Sequence, residues 1–208
     1  MEAIIFDLDG TMWDSTNEAA HVWKEIASKN PAITDEITGP RLKSLYGLPL
    51  EEIAVGLFQS VPKEVAIATM EECVVAQCPY LATHKGQLLG NVKDTLKKLS
   101  TKYKLFIVSN CKSGYIEAFL AGNQLGTFFL DHECPGGTGK LKAENIKLVM
   151  ERNQIISAIY VGDTEGDGKA AHEAGLEFIY ARYGFGEATE YEYVIDSFEE
   201  LVPLMDNR

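Results

Sequence analysis

Five short apolar runs recur along the chain, and each has the length and composition of a buried β-strand. The spacing of apolar residues between the later runs is that of amphipathic helices. The predicted strands are Ala3–Phe6, Lys104–Val108, Phe128–Leu130, Ala158–Val161 and Phe178–Tyr180, and the helices between them Val92–Ser100, Ser113–Ala121, Ala143–Asn153 and Thr164–Ala174. This alternation predicts an α/β fold, a parallel sheet with helices on both faces.

The alternation of strands and helices is interrupted once, between the first strand and the next strand–helix unit. This stretch carries no convincing strand, and its apolar spacing predicts four helices separated by prolines. They are Thr16–Ser28, Asp35–Leu45, Leu50–Phe58 and Lys63–Leu81. We therefore predict an α/β core made of residues 1–14 and 86–208, with residues 15–85 inserted as a small helical subdomain.

The amino-acid composition limits the kinds of molecule that the protein is expected to bind. The 208 residues carry a formal net charge of −12, which argues against nucleic acid or an anionic membrane as the main partner. A small anionic ligand remains compatible, since a bound cation and one lysine can reverse the local field. The four cysteines have no metal-ligand spacing and are expected to be free thiols. With no leader segment and no apolar run of about 18 residues, a cytoplasmic protein is expected.

Aspartates follow two of the predicted strands. FDLDGT places Asp7 and Asp9 after the first strand, and GDTEGD places Asp163 and Asp167 after the fourth. The carboxyl ends of parallel strands open onto one edge of a sheet, where ligands of such folds bind. Four acids around one point suit Mg²⁺, which takes carboxylates, waters and phosphate oxygens. The sequence therefore predicts a magnesium site at this edge.

Two further polar segments belong to the same edge. Ser109 and Asn110 end the second strand and offer a hydroxyl and amide N–H groups to a phosphoryl oxygen. Lys140 and Lys142 precede the next helix, where one ammonium group would neutralise a carboxylate and a transferring phosphate.

These motifs, in this order, resemble the haloacid dehalogenase superfamily: DLDGT (7–11), VSN (108–110), a lysine before a helix, and GDTEGD (162–167). The helical insertion stands where that family places its helical cap. The resemblance implies a Rossmann-like core and a phosphatase of the phosphoglycolate-phosphatase-like group, which acts on a small phosphorylated metabolite. The second aspartate of the first motif separates this group from the metal-independent dehalogenases.

The resemblance also implies roles. Asp7 would attack phosphorus and carry the aspartyl-phosphate, and Asp9 would act as general acid and then general base. Magnesium would be held by Asp7, the backbone carbonyl of Asp9 and Asp163, with Asp167 orienting a lysine or a metal-bound water. Phosphate oxygens would be held by Ser109, Asn110 and the loop after Asp7, which contains Gly10 and Thr11.

The lysine motif departs from the family pattern because it lacks prolines. Counting back from Glu144 selects Lys140, whereas a shorter Lys-x-Glu-Asn arrangement selects Lys142, which we favour. Both lysines stay candidates for the catalytic position.

Two alternatives to a phosphatase follow from the same residues. A sugar phosphomutase would share the nucleophile and need cap groups for a second phosphate, and Arg41 and Lys43 of the segment ITGPRLKSLYGLP are candidates for that contact. A non-catalytic phospho-receiver would also use a phosphorylated aspartate and a lysine. Receivers are shorter, however, and have no helical insertion after the first strand. Neither the individual substrate nor the oligomeric state can be read from the sequence.

Overall fold

Eight strands are present in the structure, a computed structural model that describes residues 1–208. They are β1 (Ala3–Phe6), β2 (Trp13–Asp14), β3 (Gln87–Leu88), β4 (Lys104–Val108), β5 (Phe129–Glu133), β6 (Ala158–Gly162), β7 (Glu177–Ala181) and β8 (Tyr193–Ile195). Six of them form one sheet in the order β5-β4-β1-β6-β7-β8, and every pair in it is parallel. The predicted α/β fold is confirmed.

Ten helices accompany the strands. They are α1 (Thr16–Ala27), α2 (Gly39–Lys43), α3 (Leu50–Leu57), α4 (Lys63–His84), α5 (Val92–Leu99), α6 (Tyr115–Asn123), α7 (Pro135–Thr138), α8 (Lys142–Arg152), α9 (Glu165–Glu173) and α10 (Leu201–Asp206). No helix combines the length and the apolar character that crossing a membrane requires.

Apolar side chains cover the sheet on both faces, as the alternation of side chains along a strand requires. In β1, Ile4 and Phe6 enter one buried cluster, which includes residues of α5, α6 and α10. Ala3 and Ile5 enter a second cluster with residues of α8 and α9. Burial on both faces explains why the central strands are continuous apolar runs.

The third predicted strand, Phe128–Leu130, has different bounds in the structure: β5 runs on to Glu133. Its polar end is tolerated because β5 is an edge strand, so that one side of it faces solvent. Arg152 of α8 donates to the carboxylates of Asp131 and Glu133, at 2.5 and 2.7 Å. Only the polar end of β5, from Asp131 to Glu133, lies outside the apolar run that predicted the strand. Strand β8, only three residues long, was missed altogether.

Helices α1 to α4 enclose their own buried apolar cluster, whose members all lie between Ala19 and Val74. The helix predicted over Asp35–Leu45 is shortened to Gly39–Lys43. Pro40 has no backbone N–H and is therefore accommodated in the first turn of a helix, which here begins directly before it, at Gly39. Asp35 lies outside the helix, and its carboxylate accepts from the backbone N–H groups of Gln59 and Ser60, both at 3.1 Å.

The two connections between the core and helices α1–α4 are tied together. Strands β2 and β3 pair antiparallel, with Trp13 opposite Leu88. The indole of Trp13 is fully buried and donates to the carbonyl of Lys85 at 2.5 Å. The chain therefore leaves and re-enters the core at one place, beside the carboxyl end of β1.

Candidate active site

The site lies where β1, β4 and β6 end. These strands are neighbours in the sheet and parallel, so that the residues following them, Asp7, Ser109 and Asp163, meet at one edge. Carboxylate oxygens of Asp7, Asp163 and Asp167 all lie within 4.8 Å of one another. The three side chains are almost completely buried, Asp7 being 5% exposed and the other two 1%.

Lys142 is the cation of this cluster. It is the first residue of α8, and its ammonium nitrogen donates to Asp7 Oδ1 at 2.8 Å and to Asp167 Oδ1 at 2.5 Å. Lys140, the other candidate for the catalytic position, is exposed and has no contact with these acids. The structure therefore brings Lys142 to the site and not Lys140, because only the helix start faces the carboxyl ends of the strands.

Asp167 fixes the local backbone as well as the lysine. Its Oδ2 accepts from the N–H groups of Asp163 and Thr164, at 3.1 and 3.0 Å, while the Thr164 hydroxyl accepts from the Asp167 N–H at 3.1 Å. This is a capping box at the start of α9. Asp167 thus links the end of β6, the first turn of α9 and Lys142.

The Asp163 carboxylate is held largely by the loop after β7. Its Oδ2 accepts from the backbone N–H groups of Phe185 and Gly186, at 2.7 and 3.3 Å. Thr11, which we predicted to bind phosphate, is fully buried, and its hydroxyl donates instead to Asp163 Oδ1 at 3.4 Å. That prediction is corrected: the Thr11 side chain orients Asp163.

Asp9 lies apart from this cluster. Its Oδ1 accepts from the hydroxyl of Tyr115 at 2.8 Å and from that of Ser15 at 3.4 Å, and these two hydroxyls are 2.6 Å apart. Burial raises the pKa of Asp9 to about 8, although the hydrogen bond from Tyr115 opposes the shift. At neutral pH the carboxyl therefore retains a proton that it can donate. No pattern in the sequence marked Tyr115, the first residue of α6.

The charge balance of the cluster favours a bound cation. Burial raises the pKa of Asp7 to about 6, although the Lys142 ammonium opposes the shift. Burial and the neighbouring Asp167 and Asp7 raise the pKa of Asp163 well above its usual range. Burial alone would lower the pKa of Lys142, but the carboxylates of Asp167 and Asp7 raise it well above its usual range. Three carboxylates face one ammonium, so that a divalent cation would neutralise the remainder, and oxygen donors suit a hard ion.

Backbone N–H donors remain free around Asp7. The N–H groups of Leu8, Asp9 and Asn110 donate to no carbonyl of the protein. The Ser109 hydroxyl helps to lower the pKa of the Asp7 carboxyl, against the larger effect of burial.

The backbone at Gly10 and Thr11 does not offer the donors that we predicted. Their N–H groups are bonded to the carbonyls of Trp13 and Leu8, at 2.9 and 3.3 Å. The N–H groups of Gly10 and Thr11 are therefore already bonded within the protein, whereas those of Leu8 and Asp9 in the same loop are free.

Of the two predicted cap contacts, only Lys43 lies near the site. Its ammonium nitrogen is 3.2 Å from Asp14 Oδ2 and 4.4 Å from the centre of the Phe185 ring. The Arg41 guanidinium instead donates to the carbonyls of Glu36, Gly56 and Leu57. The Arg41 donors are thus used to hold the backbone of the helical subdomain together, which does not support the predicted substrate contact.

A cavity of about 490 Å³ opens between the core and the helices α1–α4 beside Lys142, and a smaller one of about 50 Å³ adjoins Asp9. Four residues line both cavities: Leu50 from α3, and Asn110, Cys111 and Lys112 from the loop after β4. The larger cavity is also lined by Lys142 and Lys169, which makes this part of an acidic protein attractive to anions.

A family model described as haloacid dehalogenase-like hydrolase matches residues 4–181. The chain belongs to this family. Among curated relatives, a phosphoglycolate phosphatase of Aquifex aeolicus is 28% identical, over 100% of this chain and 98% of the relative. A phosphoglycolate phosphatase of Vibrio parahaemolyticus is 26% identical, over 99% of this chain and 96% of the relative.

Solved structures of other haloacid dehalogenase-like proteins share the fold. A haloacid dehalogenase-like hydrolase of Streptococcus pneumoniae superposes with a TM-score of 0.83 at 21% identity, covering 99% of this chain and 98% of that one. A predicted phosphoglycolate phosphatase of Haemophilus somnus gives a TM-score of 0.84 at 17% identity with the same coverage. Membership confirms the resemblance seen in the sequence and the prediction of a hydrolase.

The cradle around this hydrolase's Asp163 leaves no room at Gly184, and this yields a test. A Cβ there would lie 2.2 Å from Asp163 Cβ and 2.6 Å from the Gly10 carbonyl oxygen. Neither neighbour can move freely, so we expect Gly184→Ala to lower the free energy of unfolding by about 1–3 kcal/mol. Urea unfolding measures it.

Gly126→Ala is the matched control, because a Cβ at Gly126 meets nothing within 4 Å. We expect this variant to unfold within about 0.5 kcal/mol of the wild type. Equal stability of the two variants would show that the Asp163 cradle is looser than described.

Proposed function

We propose that this hydrolase is a Mg²⁺-dependent phosphatase that cleaves a small phosphomonoester through an aspartyl-phosphate on Asp7. The observation that carries the proposal is the division of the acids into two environments. Asp7 is held by Lys142 within the charged cluster, whereas Asp9 stands apart with a raised pKa and a proton to give. A carboxylate nucleophile and a separate proton donor would serve the two parts of ester cleavage, attack on phosphorus and departure of the alcohol.

In the first step an Asp7 carboxylate oxygen attacks phosphorus and the bond to the leaving alcohol breaks. Asp9 gives its proton to the departing oxygen. Lys142 holds Asp7 in place and offsets the charge that the phosphoryl group brings. The free N–H groups of Leu8, Asp9 and Asn110 are available to the phosphoryl oxygens.

In the second step Asp9, now ionised, takes a proton from a water molecule whose oxygen attacks phosphorus. The acyl-phosphate bond breaks, inorganic phosphate leaves and Asp7 is restored. Mg²⁺, held by the carboxylates of Asp7 and Asp163 with the backbone carbonyl of Asp9, would supply further charge neutralisation at the phosphoryl group. Positioning and charge stabilisation provide most of the rate in such reactions.

The substrate is proposed to be a small phosphorylated metabolite. The curated relatives named above are phosphoglycolate phosphatases, and the lysine-lined cavity of about 490 Å³ suits a small anion. The alternative of a sugar phosphomutase has weaker support, because Arg41, a candidate for a second phosphate, is occupied with cap carbonyls.

A panel of phosphomonoesters tests the proposal. We expect phosphate release from at least one small ester, such as 2-phosphoglycolate or p-nitrophenyl phosphate, with Mg²⁺ and none with excess EDTA. Asp7→Asn is nearly isosteric but cannot act as the nucleophile, so we expect turnover to fall by about 10³-fold or more. Wild-type turnover in Asp7→Asn, or release unaffected by EDTA, would refute the mechanism.

The two neighbouring lysines provide a matched comparison. Lys142→Ala removes the ammonium between Asp7 and Asp167, and we expect kcat to fall by about 10²-fold or more. Lys140→Ala removes an exposed charge and is expected to keep kcat within about twofold. Circular dichroism of both variants checks that the fold is retained. A larger loss in Lys140→Ala than in Lys142→Ala would reverse the assignment.

A further inference from the structure

The smaller cavity of the site, of about 50 Å³, is lined by Asp9. In the proposed reaction Asp9 gives its proton to the departing oxygen, so that the alcohol lies in this cavity when it leaves. The volume is far below the roughly 300–1,000 Å³ of pockets that hold drug-sized ligands. The part of the alcohol nearest phosphorus is therefore in contact with the walls of this cavity.

Helices α1, α3 and α4 give the cavity apolar walls with one buried amide among them. Trp23 of α1, Ile53 of α3 and Val74 of α4 line it, and each is at most 6% exposed. Gln77 of α4 lines it as well and is only 5% exposed. A carboxamide in such surroundings costs free energy unless its polar ends are hydrogen-bonded. The bonds that Gln77 makes therefore decide what it does here.

One end of the Gln77 amide is bonded within the protein. The indole Nε1 of Trp23 donates to Gln77 Oε1 at 2.8 Å. An indole N–H can only donate, so the amide oxygen faces Trp23 and the NH₂ group points away from it. Trp23 is also bonded to α4 through its backbone, since the thiol of Cys73 donates to its carbonyl. Trp23 therefore fixes which end of the amide is left free.

The other end of the Gln77 amide has no partner in the protein. Its nitrogen donates to no side chain and to no carbonyl. Every fully buried side-chain nitrogen and oxygen of this protein has a hydrogen-bond partner, so the Gln77 nitrogen is at the cavity surface and not sealed in the core. Two N–H donors are thus available to a molecule in the cavity.

We propose that Gln77 is a specificity-determining residue, whose amide NH₂ donates to an oxygen of the leaving alcohol. This inference rests on the proposed function. It narrows the substrate to phosphomonoesters whose alcohol carries a hydroxyl or a carboxylate close to the phosphate-bearing carbon. An alcohol without that oxygen leaves the Gln77 donors unpaired among apolar side chains, and a site built in this way rejects such an analogue.

A carboxylate is the acceptor that gains most from this arrangement. Hydrogen bonds to a charged acceptor are stronger than those to a neutral hydroxyl. The exposed side chain of Lys112 also lines the cavity and adds a positive charge beside it. The carboxylate-bearing ester is therefore expected to depend on Gln77 more than the hydroxyl-bearing one.

Three esters with two-carbon alcohols test the inference. Ethyl phosphate has no second oxygen on its alcohol, 2-hydroxyethyl phosphate has a hydroxyl, and 2-phosphoglycolate has a carboxylate. Gln77→Met keeps the length of the side chain and removes the N–H donors. We expect kcat/KM of this variant to fall about tenfold or more for 2-phosphoglycolate, less for 2-hydroxyethyl phosphate, and to stay within about threefold for ethyl phosphate.

Two further variants control for structural effects. Gln59→Met makes the same exchange at an exposed position that lines neither cavity, and it should leave all three values within about twofold. Gln77→Met also leaves the Trp23 indole without an acceptor. The double variant Trp23→Phe/Gln77→Met removes both partners and should show the same selective loss. Circular dichroism checks the fold of each. An equal loss for all three esters, or no loss for any, would overturn the inference.

A binding measurement separates this inference from the proposed function. The ¹⁵N-labelled Asp7→Asn protein is titrated with each ester in the presence of Mg²⁺, and the side-chain NH₂ signals of Gln77 are assigned by their absence in Gln77→Met. We expect 2-phosphoglycolate to shift them and ethyl phosphate to leave them in place. Signals that neither oxygen-bearing ester shifts, or that ethyl phosphate shifts equally, would overturn the role of Gln77. If the wild type hydrolyses no ester, the proposed function fails and these spectra alone decide.

Discussion

One buried ammonium group holds the site together. Lys142 contacts Asp7 at the end of β1 and Asp167 at the start of α9, so that a single side chain joins three separate segments of the core. Carrying these charges into the interior costs free energy that only close pairing recovers. Because three carboxylates face one ammonium, a divalent cation would complete the charge balance, and the proposed chemistry depends on that imbalance.

The surrounding backbone is shaped to keep the acids in place. Glycines occur where a side chain would displace an acid: a Cβ at Gly10 would lie 2.1 Å from Asp163 Oδ2, and one at Gly162 would lie 2.6 Å from Asp167 Cβ. Amide groups of the loop at Phe185 and Gly186 complete the shell. The acids are thus positioned by rigid elements and backbone donors, which is the precondition for electrostatic stabilisation of a transition state.

The sequence predicts those site residues whose positions are determined by the ends of strands. Asp7, Asp163 and Ser109 follow apolar runs, and parallel pairing brings them together. Contacts made by loops could not be predicted in this way. The donors to Asp163 come from residues 185 and 186, and Tyr115 reaches Asp9 from a helix start, neither of which any periodicity marks. Arg41 bonds to backbone carbonyls and Thr11 bonds to Asp163, and residue type alone does not indicate these partners.

The central claim is that Asp7 is the group primed to bond to phosphorus beside a divalent cation. A crystal structure of the protein with Mg²⁺ and beryllium fluoride, which mimics a phosphoryl group on a carboxylate, tests it most directly. The account predicts beryllium bonded to a carboxylate oxygen of Asp7, with Lys142 still in contact and Mg²⁺ on Asp7 and Asp163. Beryllium bonded to another residue, or Mg²⁺ bound away from both acids, would contradict it.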